Sequence, residues 1–278
     1  MKRKSTLFIG VMLICLVGLC ALTACTTYDK YCALHVDGVI SINHRGHSAV
    51  APENTLAAFR LSKEMGFGVV ECDVQFTKDG VPVLLHDDTV DRTSNGSGKL
   101  ANLTFDEVRA LDFGSWKSDK YVGEQIPTFA EFLQLCDELQ LYPYVELKGS
   151  ISYVQLKQLA EIVSNSDVPC TWIARDRNYL KVMKNWFTNG RFGYIVDTIN
   201  ADGLNFAKAL STDSNQVFID CNYKNIDSSA IALCKQYDIP LEVWTLNSEE
   251  LILGIDDYVS GVCSDGINAQ EVLNRPTE

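Results

Sequence analysis

The chain has 278 residues, of which 46% are hydrophobic, and its formal net charge is −12 at pH 7. This length and hydrophobic content can bury one large core, so a single catalytic domain accounts for most of the chain. The acidic charge and the lack of clustered Lys and Arg exclude nucleic acid as a partner, because phosphate backbones bind through clustered cations.

Residues 1–24 differ in composition from the rest of the chain. A cationic start, Lys2-Arg3-Lys4, precedes an apolar run from Leu7 to Leu22, and small residues follow up to Cys25. This order resembles a bacterial lipoprotein signal peptide, which implies cleavage before Cys25 and lipidation of its thiol. Two or three acyl chains would hold the protein stably on a membrane. An uncleaved membrane-spanning helix is the alternative, although the apolar run is short for a span.

The mature protein is expected to begin with the lipidated cysteine and a tether, residues 25–38, followed by a folded domain at residues 39–278. We therefore expect an exported protein, anchored by lipid to the extracytoplasmic face of a bacterial cell membrane. Removal of residues 1–24 takes away three cations and no anion, so the mature charge becomes (24 − 3) − 36 = −15. Membrane attachment should then depend on lipid rather than on attraction to anionic head groups.

Ten cysteines are present, and three of them, Cys15, Cys20 and Cys25, precede the tether or begin it. The others are widely spaced and form no Cys-x-x-Cys pair, so neither a zinc site nor a redox motif is indicated. Several lie in apolar patterns, where a thiol is a small hydrophobic group. We predict buried free thiols rather than disulfides for Cys32, Cys72, Cys136, Cys170, Cys221, Cys234 and Cys263.

From residue 39 onward, short β-rich runs alternate with helical patterns, which is typical of βα units around a parallel sheet. The chain is predicted to fold as an α/β protein, a (β/α)8 TIM barrel with one extra strand. An open doubly wound sheet is the competitor, but no Gly-x-Gly-x-x-Gly follows a strand and the chemical groups are dispersed over several strand ends. The strands are predicted at 39–43, 69–75, 82–86, 143–147, 170–174, 192–196, 216–220, 241–246 and 259–263. The helices are predicted near 53–65, 128–140, 152–165, 176–188, 227–237, 248–254 and 268–274.

Residues 88–126 interrupt this alternation. Asn95-Gly96-Ser97-Gly98 is a turn sequence, and no long apolar strand follows before Pro127. We predict a small insertion here, after the second barrel strand. In a βα barrel such an excursion lies on the catalytic face and helps to shape the pocket.

Two pairs of polar residues share the spacing expected of strand neighbours on one face. Glu71 and Asp73 are two positions apart, and so are Glu146 and Lys148. If both pairs face the barrel mouth, three carboxylates converge there, and buried carboxylates require a partner. Oxygen ligands favour one divalent cation, Mg²⁺ or Ca²⁺, over zinc. Each acid by itself would more often pair with a nearby Lys or Arg.

His44 and His86 each end a predicted strand, the position from which a barrel presents catalytic side chains. Histidine both gives and takes protons near neutral pH. His35 lies in the tether and His47 lies in a loop, so we assign neither a catalytic role. Arg45 follows the first strand and is suited to bind phosphate oxygens.

Nine short motifs follow one another along the chain and carry these residues: His44-Arg45-Gly46, Pro52-Glu53-Asn54-Thr55, Glu71-Cys72-Asp73-Val74, Thr77-Lys78-Asp79-Gly80, His86-Asp87-Asp88, Asp91-Arg92-Thr93, Ile126-Pro127, Glu146-Leu147-Lys148 and Trp244-Thr245-Leu246-Asn247. Together they resemble the glycerophosphodiester phosphodiesterase family. The resemblance is dense over residues 39–148 and thin elsewhere. Many ordered motifs are more specific than any single short match.

The resemblance implies a barrel with a small insertion and a divalent cation held by Glu71, Asp73 and Glu146. It also implies acid and base chemistry by His44 and His86. The activity would be metal-dependent hydrolysis of small glycerophosphodiesters to glycerol 3-phosphate and an alcohol such as choline or ethanolamine. One histidine would deprotonate a substrate hydroxyl or a water, and the other would protonate the departing alcohol.

The resemblance further implies phosphate contacts from Arg45 and Lys148, and a pocket wall that includes Trp244. Glu53 would either assist the metal site or orient Arg45. Residues 169–215 match the family poorly, at Arg175 and Asp176 among others, and Ser264-Asp265-Gly266-Ile267 lacks a nearby proline. These segments are expected to help select the alcohol.

Two alternative functions stay open. A related barrel phospholipase would act on head groups of intact phospholipids or sphingolipids, and an apolar rim on the insertion would favour it. There, however, Leu103, Phe105, Val108 and Leu111 have the pattern of a small packed helix. A lipid-anchored binding protein without catalysis is the second alternative, and the intact histidine pair argues against it, because binding needs no proton transfer.

Overall fold

The structure is a computed structural model that describes residues 38–275. Its strands are β1 (Ile40–Asn43), β2 (Val69–Phe76), β3 (Pro82–Leu84), β4 (Tyr142–Leu147), β5 (Thr171–Ala174), β6 (Arg191–Val196), β7 (Gln216–Asn222), β8 (Leu241–Trp244) and β9 (Val259–Ser264). Strand β1 pairs in parallel with both β2 and β9, so eight strands close into a barrel. The predicted TIM barrel is confirmed. The extra strand is β3, which pairs antiparallel with β2.

Helices follow the barrel strands and cover the outside of the barrel. Within residues 38–275, seven of the nine helices match the long helical patterns of the sequence, and the short α2 lies inside the insertion. The helices are α1 (Leu56–Glu64), α2 (Phe105–Arg109), α3 (Phe129–Leu139), α4 (Tyr153–Ser164), α5 (Arg177–Trp186), α6 (Ala201–Leu210), α7 (Ser228–Tyr237), α8 (Glu249–Leu253) and α9 (Ala269–Leu273).

Helix α6 is absent from the sequence prediction, which assigns no helix between residues 196 and 216. Its buried side chains include Leu204, Ala207 and Leu210, a spacing of three that is weaker than the usual pattern. Gly203 lies in the first turn and lowers helix propensity. The helix is nevertheless formed because Asn200 caps it, accepting a hydrogen bond from the Gly203 backbone, and because its apolar face packs on the barrel.

Side chains alternate along the barrel strands between two apolar clusters. The interior cluster contains Ile40, Ile42, Val69, Tyr144, Ile173, Ile195, Phe218 and Cys263. The intervening residues, such as Val70, Val145 and Ile219, pack outward against the helices. Polar side chains at inward positions near the carboxyl ends of the strands therefore project into the barrel mouth.

The segment between β3 and α3 has a small apolar cluster of its own, formed by Val83, Leu85, Val90, Leu100, Val108, Phe113 and Ile126. Arg109 of α2 binds Glu131 of α3 at 2.7 Å, which fastens this segment to the barrel. Lys117 donates a hydrogen bond to the backbone oxygen of Ser48 at 2.6 Å. This contact ties the segment to the loop that follows β1.

Several sequence predictions lie outside the described residues: the signal peptide at 1–24, lipidation at Cys25, the tether up to residue 37, Cys32 and His35. The other six predicted free thiols are described, and all are buried and unpaired. Within residues 38–275, no helix combines the length and the apolar character needed to cross a bilayer.

Candidate active site

Three inward carboxylates meet at the mouth end of β2 and β4. Glu71, Asp73 and Glu146 each contribute an oxygen, and these oxygens lie within 4.8 Å of one another. Strand register explains the convergence, because Asp73 lies directly opposite Glu146. Glu71 precedes Asp73 by two residues and shares its face, as the sequence predicts.

The cluster is buried, and some of its oxygens have no hydrogen-bond donor. Glu71 and Asp73 are 3% and 1% exposed, and Oε1 of Glu71 and Oδ1 of Asp73 accept no hydrogen bond. Burial, together with the charges of Asp73 and Glu146, raises the pKa of Glu71 well above its ordinary value. Burial and Asp73 likewise raise the pKa of Glu146 to about 7. A hard cation would relieve both the repulsion and the unpaired oxygens, so this donor set fits Mg²⁺ or Ca²⁺.

Arg45 lies beside the acids because of an unusual backbone turn. Its φ of 55° is left-handed, and Gly46 follows at 76°. A side chain at Gly46 would come within 2.8 Å of Ala58, so the turn requires glycine. In this conformation the Arg45 backbone N–H donates to Oε2 of Glu71 at 2.9 Å. The Arg45 Nε lies 3.3 Å from Oδ2 of Asp73.

Lys148 and Asn54 complete the surroundings of Asp73. The Lys148 Nζ lies 3.3 Å from Oε1 of Glu146 and 3.6 Å from Oδ1 of Asp73. The Asn54 side chain donates to Oδ2 of Asp73 at 2.8 Å and accepts from its backbone N–H at 3.1 Å. Burial alone would raise the pKa of Asp73, but the charges of Arg45 and Lys148 hold it below its ordinary value. Asp73 is therefore the acid of the cluster that stays ionised most readily.

Each of the two predicted histidines is held by a carboxylate. His44 Nδ1 lies 2.7 Å from Oδ1 of Asp265, and His86 Nδ1 lies 2.7 Å from Oδ1 of Asp87. This contact leaves Nε2 as the ring nitrogen available to a substrate. Burial lowers the pKa of His86, while the nearby charge of Asp73 opposes that change. His44 immediately precedes Arg45, whose N–H is bound to the acid cluster.

A second arginine connects the partners of His86 and Arg45. Arg92 donates to Oδ2 of Asp87 at 2.7 Å and to both oxygens of Glu53 at 2.7 and 2.8 Å. Glu53 also accepts from Nη1 of Arg45 at 2.8 Å. Burial would raise the pKa of Glu53, but hydrogen bonds from Arg92 and the charge of Arg45 keep it lowered. This geometry favours the orienting role for Glu53 over a role as metal ligand.

Part of the barrel mouth away from the acid cluster is formed by residues 169–215, the segment in which the sequence has little resemblance to the family. The guanidinium of Arg175 lies 5.7 Å from the ring centroid of Trp244, and its Nη1 donates to Oδ1 of Asp197 at 2.8 Å. Trp244 packs against the interior cluster, and its Nε1 is buried without a hydrogen-bond partner. Arg175 and Trp244 thus lie side by side at the barrel mouth.

Four residues that contact the predicted site have no individual role in the sequence predictions. Asp87 and Arg92 lie within two of the nine motifs, and the position of Asp87 next to His86 could have predicted its contact with that histidine. Asp265 directly follows β9 and reaches His44 across 221 residues of sequence, which no local pattern reveals. Asn54 was also quoted without a role, and it is the residue that positions Asp73.

Comparisons with known proteins point to one family. The model of the Glycerophosphoryl diester phosphodiesterase family matches residues 44–166. The chain is 32% identical over 229 residues to a glycerophosphodiester phosphodiesterase of Caldanaerobacter subterraneus subsp. tengcongensis, covering 81% of this chain and 93% of that protein. It is 47% identical over 115 residues to glycerophosphodiester phosphodiesterase 1 of Mus musculus, covering 41% of this chain and 35% of the mouse protein.

The fold is similar to that of a solved phosphodiesterase of Oleispira antarctica in complex with the product sn-glycerol-3-phosphate. The two share 27% identity with a TM-score of 0.78, and the match covers 84% of this chain and 96% of the other.

Proposed function

The chain belongs to the glycerophosphoryl diester phosphodiesterase family and is a phosphoric diester hydrolase, and we propose the following mechanism for its hydrolysis of glycerophosphodiesters. In this proposal a divalent cation is bound by Glu71, Asp73 and Glu146, and His44 and His86 act as acid and base. The observation that carries the proposal is the buried three-acid cluster with unpaired oxygens, beside cations suited to phosphate.

Arg45 and Lys148 are proposed to bind the non-bridging oxygens of the substrate phosphate. Both side chains already lie beside Asp73, so the phosphate would be held next to the three acids. The planar guanidinium of Arg45 is oriented by Glu53, which limits the rotamers it must give up on binding. When bound, Mg²⁺ or Ca²⁺ would supply positive charge that stabilises the charge developing on the phosphate.

The two histidines are proposed to move protons on opposite sides of the phosphorus. One Nε2 removes a proton from the nucleophile, which is a substrate hydroxyl or a water, and the other gives a proton to the departing alcohol. Asp265 and Asp87 hold the respective Nδ1 atoms, which fixes each ring and favours the histidine that carries a positive charge. Glycerol 3-phosphate is the proposed product, in line with the product bound to the Oleispira relative.

We also propose that the protein is anchored by lipid at Cys25 on the extracytoplasmic face of a bacterial membrane. Support for this proposal comes from the sequence of residues 1–25 alone. An anchored enzyme of this class would meet small diesters released near the membrane.

The proposal is tested with the full chain by measuring glycerol 3-phosphate released from glycerophosphocholine, and choline and phosphocholine released from intact phosphatidylcholine. We expect release from the soluble diester, loss of release with EDTA, and recovery on addition of Mg²⁺ or Ca²⁺. His44→Ala and His86→Ala should each lower kcat by about 10²- to 10⁴-fold, whereas the matched control His35→Ala should not. Activity that survives chelation would refute the metal, near-normal turnover of either variant would refute the histidine pair, and cleavage of phosphatidylcholine alone would favour a phospholipase.

A further inference from the structure

Asp220 lies in the barrel mouth on the wall opposite the three acids. Its neighbours Ile219 and Cys221 on β7 face the outer helices, and Phe218 belongs to the interior cluster. Asp220 therefore points inward, two residues closer to the mouth than Phe218. In the closed barrel β7 is four strands away from β2 in either direction. Its carboxylate thus faces the wall that carries Glu71 and the rest of the acid cluster.

Asp220 is largely buried, at 8% exposed, and no described residue forms a hydrogen bond or an ion pair with it. Glu242, the inward acid beside it on β8, is by contrast bound by the Arg191 guanidinium and by the Tyr144 hydroxyl. Burial raises the pKa of Asp220 well above its ordinary value, the charges of Glu242 and Glu146 add to that rise, and the more distant charges of Arg175 and Arg191 oppose it. A carboxyl group held in this way is costly unless a ligand meets it.

A second unpaired group lies further toward the mouth on the neighbouring strand. Register pairs Asp220 with Glu242, and Trp244 follows Glu242 by two residues on the same inward face. The Trp244 Nε1–H is a buried donor without an acceptor. This wall therefore offers one unused acceptor and one unused donor. A hydroxyl group can satisfy both, because it donates one hydrogen bond and accepts others. A quaternary ammonium has no N–H, and a primary ammonium cannot accept from an indole.

We propose that Asp220 is a specificity-determining residue that accepts a hydrogen bond from the terminal hydroxyl of the glycerol moiety. The proposal rests on the proposed function, because it takes the phosphate to lie at Arg45 and Lys148. The end of glycerol furthest from that phosphate then extends toward β7. The Trp244 N–H donates to the same hydroxyl oxygen, and the departing alcohol lies elsewhere. Asp220 thus selects for glycerol and not for the alcohol.

The test uses two soluble diesters that differ by one hydroxyl. Glycerophosphocholine has the terminal hydroxyl, and the phosphocholine ester of propane-1,2-diol lacks it but keeps the hydroxyl next to the phosphate ester. The full chain should favour glycerophosphocholine in kcat/KM by about 10- to 100-fold, since a site built for a hydroxyl rejects the analogue without it. Asp220→Ala should reduce that preference to less than about threefold. Comparing both enzymes on both substrates, as in a double-mutant cycle, separates this change in preference from any general loss of activity.

Asp213→Ala is the matched control, because it makes the same Asp-to-Ala substitution in an exposed turn before β7. It should keep the preference of the unmodified chain. Asp220→Asn serves if the alanine variant does not fold, and it should give an intermediate preference because one acceptor oxygen is kept and the other oxygen is replaced by an NH₂ donor. An unmodified chain without the preference, or an Asp220 variant that keeps it, would overturn the role of Asp220. Hydrolysis of neither diester by the unmodified chain would instead refute the proposed function.

Discussion

Removing the proposed divalent cation should make the stability of this protein depend strongly on pH, because the acid cluster would then lose the ligand that offsets its charge. Glu146 sets the pH range of this effect. Burial and the charge of Asp73 raise its pKa from an ordinary 4.5 to about 7. Glu71 shifts in the same direction, also through burial and the neighbouring carboxylates. The pKa of Asp73 is lowered, so its titration falls below this range.

The sign follows from which state holds the proton. Between pH 4.5 and about 7 the folded protein keeps Glu146 protonated, whereas the unfolded chain ionises it. Raising the pH across this range therefore favours unfolding, and the contribution of this residue is fully present only below pH 4.5. At about 1.4 kcal/mol for each pH unit, the loss is about 3 kcal/mol. For a domain of this size that corresponds to a fall in Tm of about 6 to 12 °C.

The assay is thermal unfolding of the full chain in EDTA at several pH values between 4.5 and 7.5. Glu146→Gln cannot ionise, so its Tm should fall less over this range, while the exposed control Glu138→Gln should behave like the unmodified chain. Saturating Mg²⁺ or Ca²⁺ at pH 7.5 should restore about 4 kcal/mol at a concentration 1,000 times Kd. Identical pH slopes for the chelated unmodified chain and Glu146→Gln would refute this account of the cluster.

Three further predictions concern other parts of the molecule. Asp265→Asn should lower kcat by about 10²- to 10⁴-fold through the orientation and tautomer of His44, with cation-dependent stabilisation unchanged; kcat near that of the unmodified chain would remove the positioning role. Gly193→Ala should destabilise the protein by about 1–3 kcal/mol in urea unfolding, because its Cβ would lie 2.5 Å from the Phe218 ring; an unchanged midpoint would contradict the packing. Cys25→Ser should abolish incorporation of labelled palmitate into the expressed protein, and continued labelling would contradict the lipid anchor.

Much of the fold could be read from hydrophobic patterns, because strands and helices depend on local alternation. Every predicted strand is present, and most of their ends agree to within about two residues. The exception among the long helices, α6, has a glycine in its first turn and a weak apolar period, and tertiary packing compensates for both. The insertion was predicted from its turn residues. Its separate apolar cluster was not predicted, because that cluster includes Val83 of β3 and depends on the tertiary structure in which β3 pairs with β2.

The sequence alone determined which residue types carry the chemistry and that Glu71 and Asp73 share a face, since strand geometry fixes that relation over two residues. Only the tertiary structure decided that Asp265 holds His44 across 221 residues and that Arg92 reaches Glu53 across 39. It also decided that no described residue forms a hydrogen bond or an ion pair with the largely buried Asp220. The reason is physical: closure of the barrel brings together strand ends that are remote in sequence, and hydrogen bonding and burial depend on that closure rather than on local pattern.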